Sequence, residues 1–350
     1  MKKKAVAMVL SIALLMCIFP VPASASETGN HTVTESYITE ALSVLSAMNS
    51  ERAFVIENRS TLKGFSGEDE YILLTFTNKG YAIISMQTER IVEAMPDGIN
   101  PYQACKGTPY YAGPFNYLYK NASGMFYSVR SGEVVSNEAI QSMTENVNNA
   151  LQRSGESKTA STYSSRASYP ASAIVDDSDY IIDEMPLGNN VNDTCGSVAA
   201  GMMLTYIDCK VLTPGTVVPA SIGYGEPLHT ALTAYCERSN GSTSASVSSG
   251  INDWLSDNET TYGVDKILTA HYFYVAWGSY AKTSIADNRP VVLALGTVLG
   301  SPYGNHQVMA YGYYSNANGD YYNIHSGYLS DGSSSAIMDS SWGIGVCYVD

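Results

Sequence analysis

Positive charge is scarce in this 350-residue chain, where 19 Lys and Arg stand against 33 Asp and Glu. A surface so poor in cations repels nucleic acid and anionic membranes, which argues against a nucleic-acid partner. Cysteine is sparse too, six in all. No CxxC pair or Cys/His spacing of a zinc site occurs among them, so neither a metal nor another cofactor is expected. Long apolar runs are missing except near the start. There Ala5 to Phe19 falls short of the roughly 20 residues a membrane span needs, so no span is expected.

That early run has an order of its own. "MKKKAVAMVLSIALLMCIFPVPASAS" places three lysines, an apolar stretch and Ala23-Ser24-Ala25 in succession, the pattern of a secretory signal peptide over residues 1–25. A secreted, soluble, extracellular product of bacterial type is the expectation. Cys17 follows "LLM", without the small residue that precedes a lipid-modified cysteine, so no lipid anchor is expected. Cys105, Cys195, Cys209, Cys236 and Cys347 remain. An odd count leaves at least one thiol unpaired, and the pairing of Cys209, Cys236 and Cys347 stays open.

Residues 32–50 carry Ile38, Leu42, Leu45 and Met48 at helical spacing. Two β-rich runs follow, 71–77 and 80–86, joined at Asn78-Lys79 as a hairpin. A second helical segment, from 138 to about 155, closes a small α+β unit over 26–153. Residues 154–169 hold almost nothing large enough to bury, and read as a linker open to proteases. From 170 to 350 the balance turns to 5 basic against 18 acidic residues, a different module. It begins with a helix from Cys195 to about Asp208. Strand-like runs follow at 271–277, 290–298, 306–314, 321–328 and the C-terminus, an α+β order with a helical half and a sheet half.

"NDTCGSVAAGMML" puts Cys195 at the start of that helix. The free N–H groups and dipole of a first helical turn favour a thiolate, and a neighbouring imidazolium favours it further. Gly196 and Ser197 are expected to leave a low wall for a substrate carbonyl, and Val198, Met202 and Tyr206 to form one buried face. Taken singly, a cysteine at a helix start is most often a small buried hydrophobe. A base brought from elsewhere in the chain changes that reading. "GNHQVMAYGYY" supplies one, with His306 at the head of an apolar strand about 110 residues downstream. His31 lies in the exported terminus, His229 reads as helix packing, and His271 opens an aromatic strand.

Together "TCGSVAAGMMLTYID", "NHQVMAYGYY" and "YYNIHSGY" resemble the papain-like cysteine peptidases of bacteria, in particular their streptopain-like and bacteriocin-leader-peptidase-like branches, over residues 185–330. The resemblance implies a papain-like cysteine peptidase domain, with a helical half and an antiparallel sheet half, acting on a protein or peptide substrate. Cys195 would be the nucleophile and His306 the base. An oxyanion amide would fall at Asn189, where the family usually has Gln; Asn190 and Asn192 are rivals, and the Cys195 N–H is the second donor. Val198 stands where the plant-type "CGSCW" has its second cysteine. The family orients its histidine with an Asn in a short motif ending Asn-aromatic-Gly-aromatic. On "YYNIHSGY" that position is filled by His325, the favoured third member; Asn323, two residues earlier, and Asp339 in "MDSSWG" are the alternatives.

The first half carries a shorter likeness. "KGYAIISMQTERIVEAMPDGINPY" resembles the propeptide strand motif of streptopain-like zymogens. That implies an inhibitory propeptide over 26–153 as the enzyme's own partner. Maturation cleavage would fall in 154–169, with "DDSDY" at 176–180 near the mature start. Two other readings stay open: a cell-wall amidase or transglutaminase-like acyl transferase using the same Cys/His chemistry, and a non-catalytic surface binding protein on a peptidase fold.

Overall fold

A computed structural model describes residues 31–48, 52–87, 89–113, 116–141, 143–144, 170–188, 190, 194–237, 241–274, 277–296, 301, 305–317, 319–328 and 335–350. The expected signal peptide and linker lie outside them, as do Asn189 and Asn192. Among the described residues no helix is long and apolar enough to cross a membrane, and no cluster of His, Cys, Asp and Glu is placed to hold a metal.

The chain is mixed α+β around one large, mostly antiparallel sheet. Its first part is α1 (His31–Met48) followed by β1 (Ile56–Lys63), β2 (Asp69–Phe76), β3 (Tyr81–Ser85), β4 (Arg90–Met95), β5 (Thr108–Tyr111), β6 (Tyr117–Lys120) and β7 (Phe126–Ser128). The expected hairpin is β2–β3, paired from Tyr71–Ser85 to Thr75–Tyr81. It turns through Lys79 and Gly80, at φ of 70° and 89°. A side chain at 80 would place its Cβ 2.0 Å from the Pro96 carbonyl oxygen, so Gly is required there. A helix begins at Asn137, next to the expected start at 138, and residues 142 and 145–155 of the expected segment lie outside the described residues.

The second part comprises β8 (Ser172–Ile174), α2 (Cys195–Tyr206), α3 (Glu226–Cys236), α4 (Ser244–Tyr262), β9 (Ala270–Phe273), α5 (Trp277–Ala286), β10 (Val291–Leu295), β11 (His306–Asn316), β12 (Gly319–His325), β13 (Ala336–Asp339) and β14 (Gly343–Val349). The run expected as a strand to residue 277 ends at Phe273, and Trp277 opens α5 instead.

The two parts are not separate sheets. Strand order runs β7-β6-β5-β1-β2-β3-β4-β13-β12-β11-β10-β14-β9, with β8 on β11, and β4 joins β13 antiparallel through Ala94 and Ile337. Side-chain alternation explains how one sheet carries two cores. Ile72, Leu74, Ala82, Ile84, Tyr321 and Ile337 point to one face and bury Ile38, Ala41, Val44 and Leu45 of α1. Their neighbours Leu73, Ile83, Tyr322, Ile324 and Met338 belong to the other cluster, which takes in α2, α3 and α4. Each fully buried Leu or Ile contributes about 1.5–3 kcal/mol.

Candidate active site

Cys195 opens α2, half-buried, while every residue from Gly196 to Tyr206 is buried. The helix is thus enclosed all round, between β11 and the helices α3 and α4, and does not present the single buried face expected from its spacing. Its first turn is capped from outside. Thr194 holds the N-cap position and makes no side-chain capping bond. The N–H of Ser197 donates to Glu237 Oε1 at 2.8 Å, just past the end of α3. Ser197 Oγ donates to the Thr194 carbonyl at 3.0 Å and lies 3.1 Å from Thr233 Oγ1.

Nor do the two small residues leave an open approach. Ser197 is fully buried, and a Cβ at Gly196 would sit 2.1 Å from Ser242 Oγ. Ser242 is where it is because its hydroxyl accepts from Gln307 Nε2 at 2.9 Å. Gly196 is therefore small to leave room for Ser242 at the start of α2. Gly196→Ala is expected to drive Ser242 off Gln307 and to cost about 1–3 kcal/mol in urea unfolding.

The Gln307 N–H, the Ser242 hydroxyl and Cys195's own N–H each act on the Cys195 thiol to lower its pKa. All three favour the thiolate. Burial outweighs them and, with the negative charge of Glu237, pushes the Cys195 thiol above its ordinary value. The helix-start placement had suggested the opposite direction; desolvation is the reason for the difference.

Gln307 follows His306, so the residue whose N–H acts on the thiol stands at the head of β11. The His306 ring is buried, stacked on Tyr328 with centroids 5.3 Å apart and planes 15° apart. Its Nε2 lies 2.9 Å from the Ser326 carbonyl oxygen. A carbonyl only accepts, so Nε2 carries the proton and Nδ1 keeps the lone pair. Burial lowers this histidine to about 4, against the Ser326 bond, which works to raise it.

The three candidates for orienting His306 lie elsewhere. β10 and β11 pair without interruption from Leu295–His306 to Val291–Ala310, and Ala310 pairs with Ile324 of β12. His306 therefore shares a face with Ala310 and Ile324, and His325 points to the opposite one. There His325 Nδ1 accepts the Gly327 N–H at 3.0 Å, and burial lowers the ring to about 4. Asn323 donates through Nδ2 to the Met48 carbonyl of α1 at 3.4 Å. Asp339 pairs with Arg90 Nε at 2.5 Å, far along β13. The group on His306 Nε2 is a backbone carbonyl, one residue past His325.

No protein-family model and no curated protein sequence matches the chain. Among solved structures it is similar to the Amb a 11 cysteine protease, a major ragweed pollen allergen, in its proform. That likeness has 15% identity and a TM-score of 0.27, and covers 53% of this chain and 67% of the other. At so low a TM-score it bears on neither fold nor chemistry here, and the residues themselves carry the functional reading.

Residue types alone left several partners of this site unread. Ser326 contributes a carbonyl, Gln307 an N–H, and neither is encoded by a side chain. Glu237 lies 40 residues beyond the Ser197 it caps, and no local pattern marks it. Tyr328 was visible in "HSGY" as an aromatic of the motif, without its stacking partner.

Proposed function

We propose that this chain is a secreted cysteine endopeptidase made as a latent precursor, with residues 170–350 as a papain-like peptidase domain and 26–153 as its inhibitory propeptide. One observation carries the reading: a thiol at a helix start is acted on by the backbone N–H of Gln307, the residue beside a histidine whose Nε2 is fixed by a carbonyl. That tautomer leaves Nδ1 to take the thiol proton. The thiolate attacks the scissile carbonyl, and His306 then returns the proton to the leaving amine. The Cys195 N–H and the Asn189 amide are the oxyanion donors in this reading, each such donor being worth about 10²–10³ in rate. The order of charge, apolar run and small residues over 1–25 supports export, and the acidic surface supports a soluble product.

The test is casein hydrolysis under reducing conditions by chain cleaved near residue 170. Cys195→Ala and His306→Ala are each expected to keep the far-UV spectrum and lose about a thousandfold or more in activity. Wild-type rates in either variant overturn the assignment.

A further inference from the structure

The carboxylate at the end of α3 stands where a cysteine nucleophile would not be expected to tolerate one. A first helical turn carries roughly half a positive charge through its free N–H groups, and that end is the natural seat of a thiolate. Here the seat is shared. Glu237 Oε1 takes the Ser197 N–H at 2.8 Å, while the N-cap residue Thr194 makes no capping bond of its own. The carboxylate is held in place by its backbone, since the Glu237 N–H donates to the Thr233 carbonyl at 3.2 Å. Thr233 in turn lies against Ser197 through the two hydroxyls, so α3 and α2 meet by two contacts at this one turn.

We infer that Glu237 is a positioning residue of the candidate site: its carboxylate occupies the N-terminal turn of the Cys195 helix and competes with the thiolate for that turn's positive end. This rests on Cys195 as the nucleophile. An acidic cap alone is an ordinary stabiliser of a helix. What makes this one different is that the nucleophile belongs to the capped turn, so cap and thiolate are like charges on one set of donors. The groups that act on the thiol are Glu237 just past α3, Ser242 from the loop before α4, and the Gln307 N–H beside His306 on β11. With the imidazole neutral, Glu237 is the member of that set that carries charge. Its negative field adds to burial in disfavouring the thiolate.

The experiment follows iodoacetamide modification of Cys195 against pH in the full-length chain, by mass spectrometry of the Cys195 peptide. In the wild type the midpoint is expected above the ~8.5 of an unperturbed thiol. Glu237→Gln keeps an acceptor for the Ser197 N–H and removes the charge. It is expected to lower the midpoint by about one pH unit and to speed alkylation near neutral pH several-fold. Glu237→Asp, which keeps the charge, is expected to stay near the wild type. Should Glu237→Gln fail to fold, Glu237→Ser is read in the same way. A wild-type midpoint at or below that of a free thiol overturns the inference whatever the variants do. So does a folded, uncharged variant with an unmoved midpoint. A purely structural cap would shift unfolding and leave the pH profile in place. Failure of the peptidase reading is separate, because it shows as activity surviving Cys195→Ala.

Discussion

Cleavage near residue 170 is expected to raise the rate of casein hydrolysis at least a hundredfold over the uncut chain, with intact mass marking the conversion. Burial favours the neutral form of both partners. It lowers His306 to about 4, which favours the neutral ring at neutral pH, and displaces the buried thiol upward from its usual range. A neutral thiol beside a neutral imidazole is the resting form of a nucleophile. Desolvation is the first cause of both shifts, so anything that admits water moves both groups toward the reactive ion pair. The first part of the chain shares an apolar core with the second: Leu73, Ile83, Val92 and Met95 belong to the same cluster as Val198 and Met202 of the Cys195 helix. Removing those strands takes away part of that shared core. Alkylation of Cys195 is expected to accelerate together with catalysis. A fully active uncut chain, or a cut chain no faster than the precursor, overturns the latency reading.

The parts of this arrangement that were legible in the sequence are those written in side chains at short range. Cys195 before two tiny residues gave the helix start, and His306 before an apolar run gave the strand head; both elements begin at those residues. The hairpin at 71–86 was readable because its two runs are β-branched and aromatic around a tight turn. β1, with the polar "IENRSTLK", and β5, with Pro109 inside it, lack that signature and were missed. The face of His325 was unreadable for a different reason. Asn323 and His325 do share a face, as a period of two demands, but whether His306 shares it depends on register across β11 and β12. That register includes an irregularity between Ala310 and Gly312 that no composition marks. The continuity of the sheet through β4 and β13 was equally hidden. Its single ladder pair and its ion pair join residues more than two hundred positions apart.

That ion pair gives the largest expected change in stability. Arg90 at the start of β4 meets Asp339 at the end of β13 at 2.5 Å, with its guanidinium 5.3 Å from the Tyr321 ring centre. The carboxylate also accepts the Ser341 N–H at 2.8 Å. Asp339 is almost wholly buried, at 3% exposure. Burial raises its carboxyl above the ordinary value, while Arg90 and the Ser341 bonds pull it back. Arg90→Met removes the cation and leaves the carboxylate enclosed, which costs about 3–5 kcal/mol where a buried pair is broken from one side. The pH dependence follows from the direction of the shift. A carboxyl raised in the folded state contributes stability below its unfolded value and loses it as pH rises through its folded one. Losing Arg90 raises the folded value further. The deficit of Arg90→Met relative to the wild type is therefore expected to be full at about pH 7 and to shrink toward about pH 5, as Asp339 takes up a proton. Urea unfolding at the two pH values measures this. The double variant Arg90→Met/Asp339→Leu, which replaces the pair with apolar side chains, is expected to regain most of the loss at neutral pH and to show no such pH dependence. A single-variant deficit below about 1 kcal/mol, or one that stays constant with pH, would show that the junction of the two strand sets does not depend on this pair.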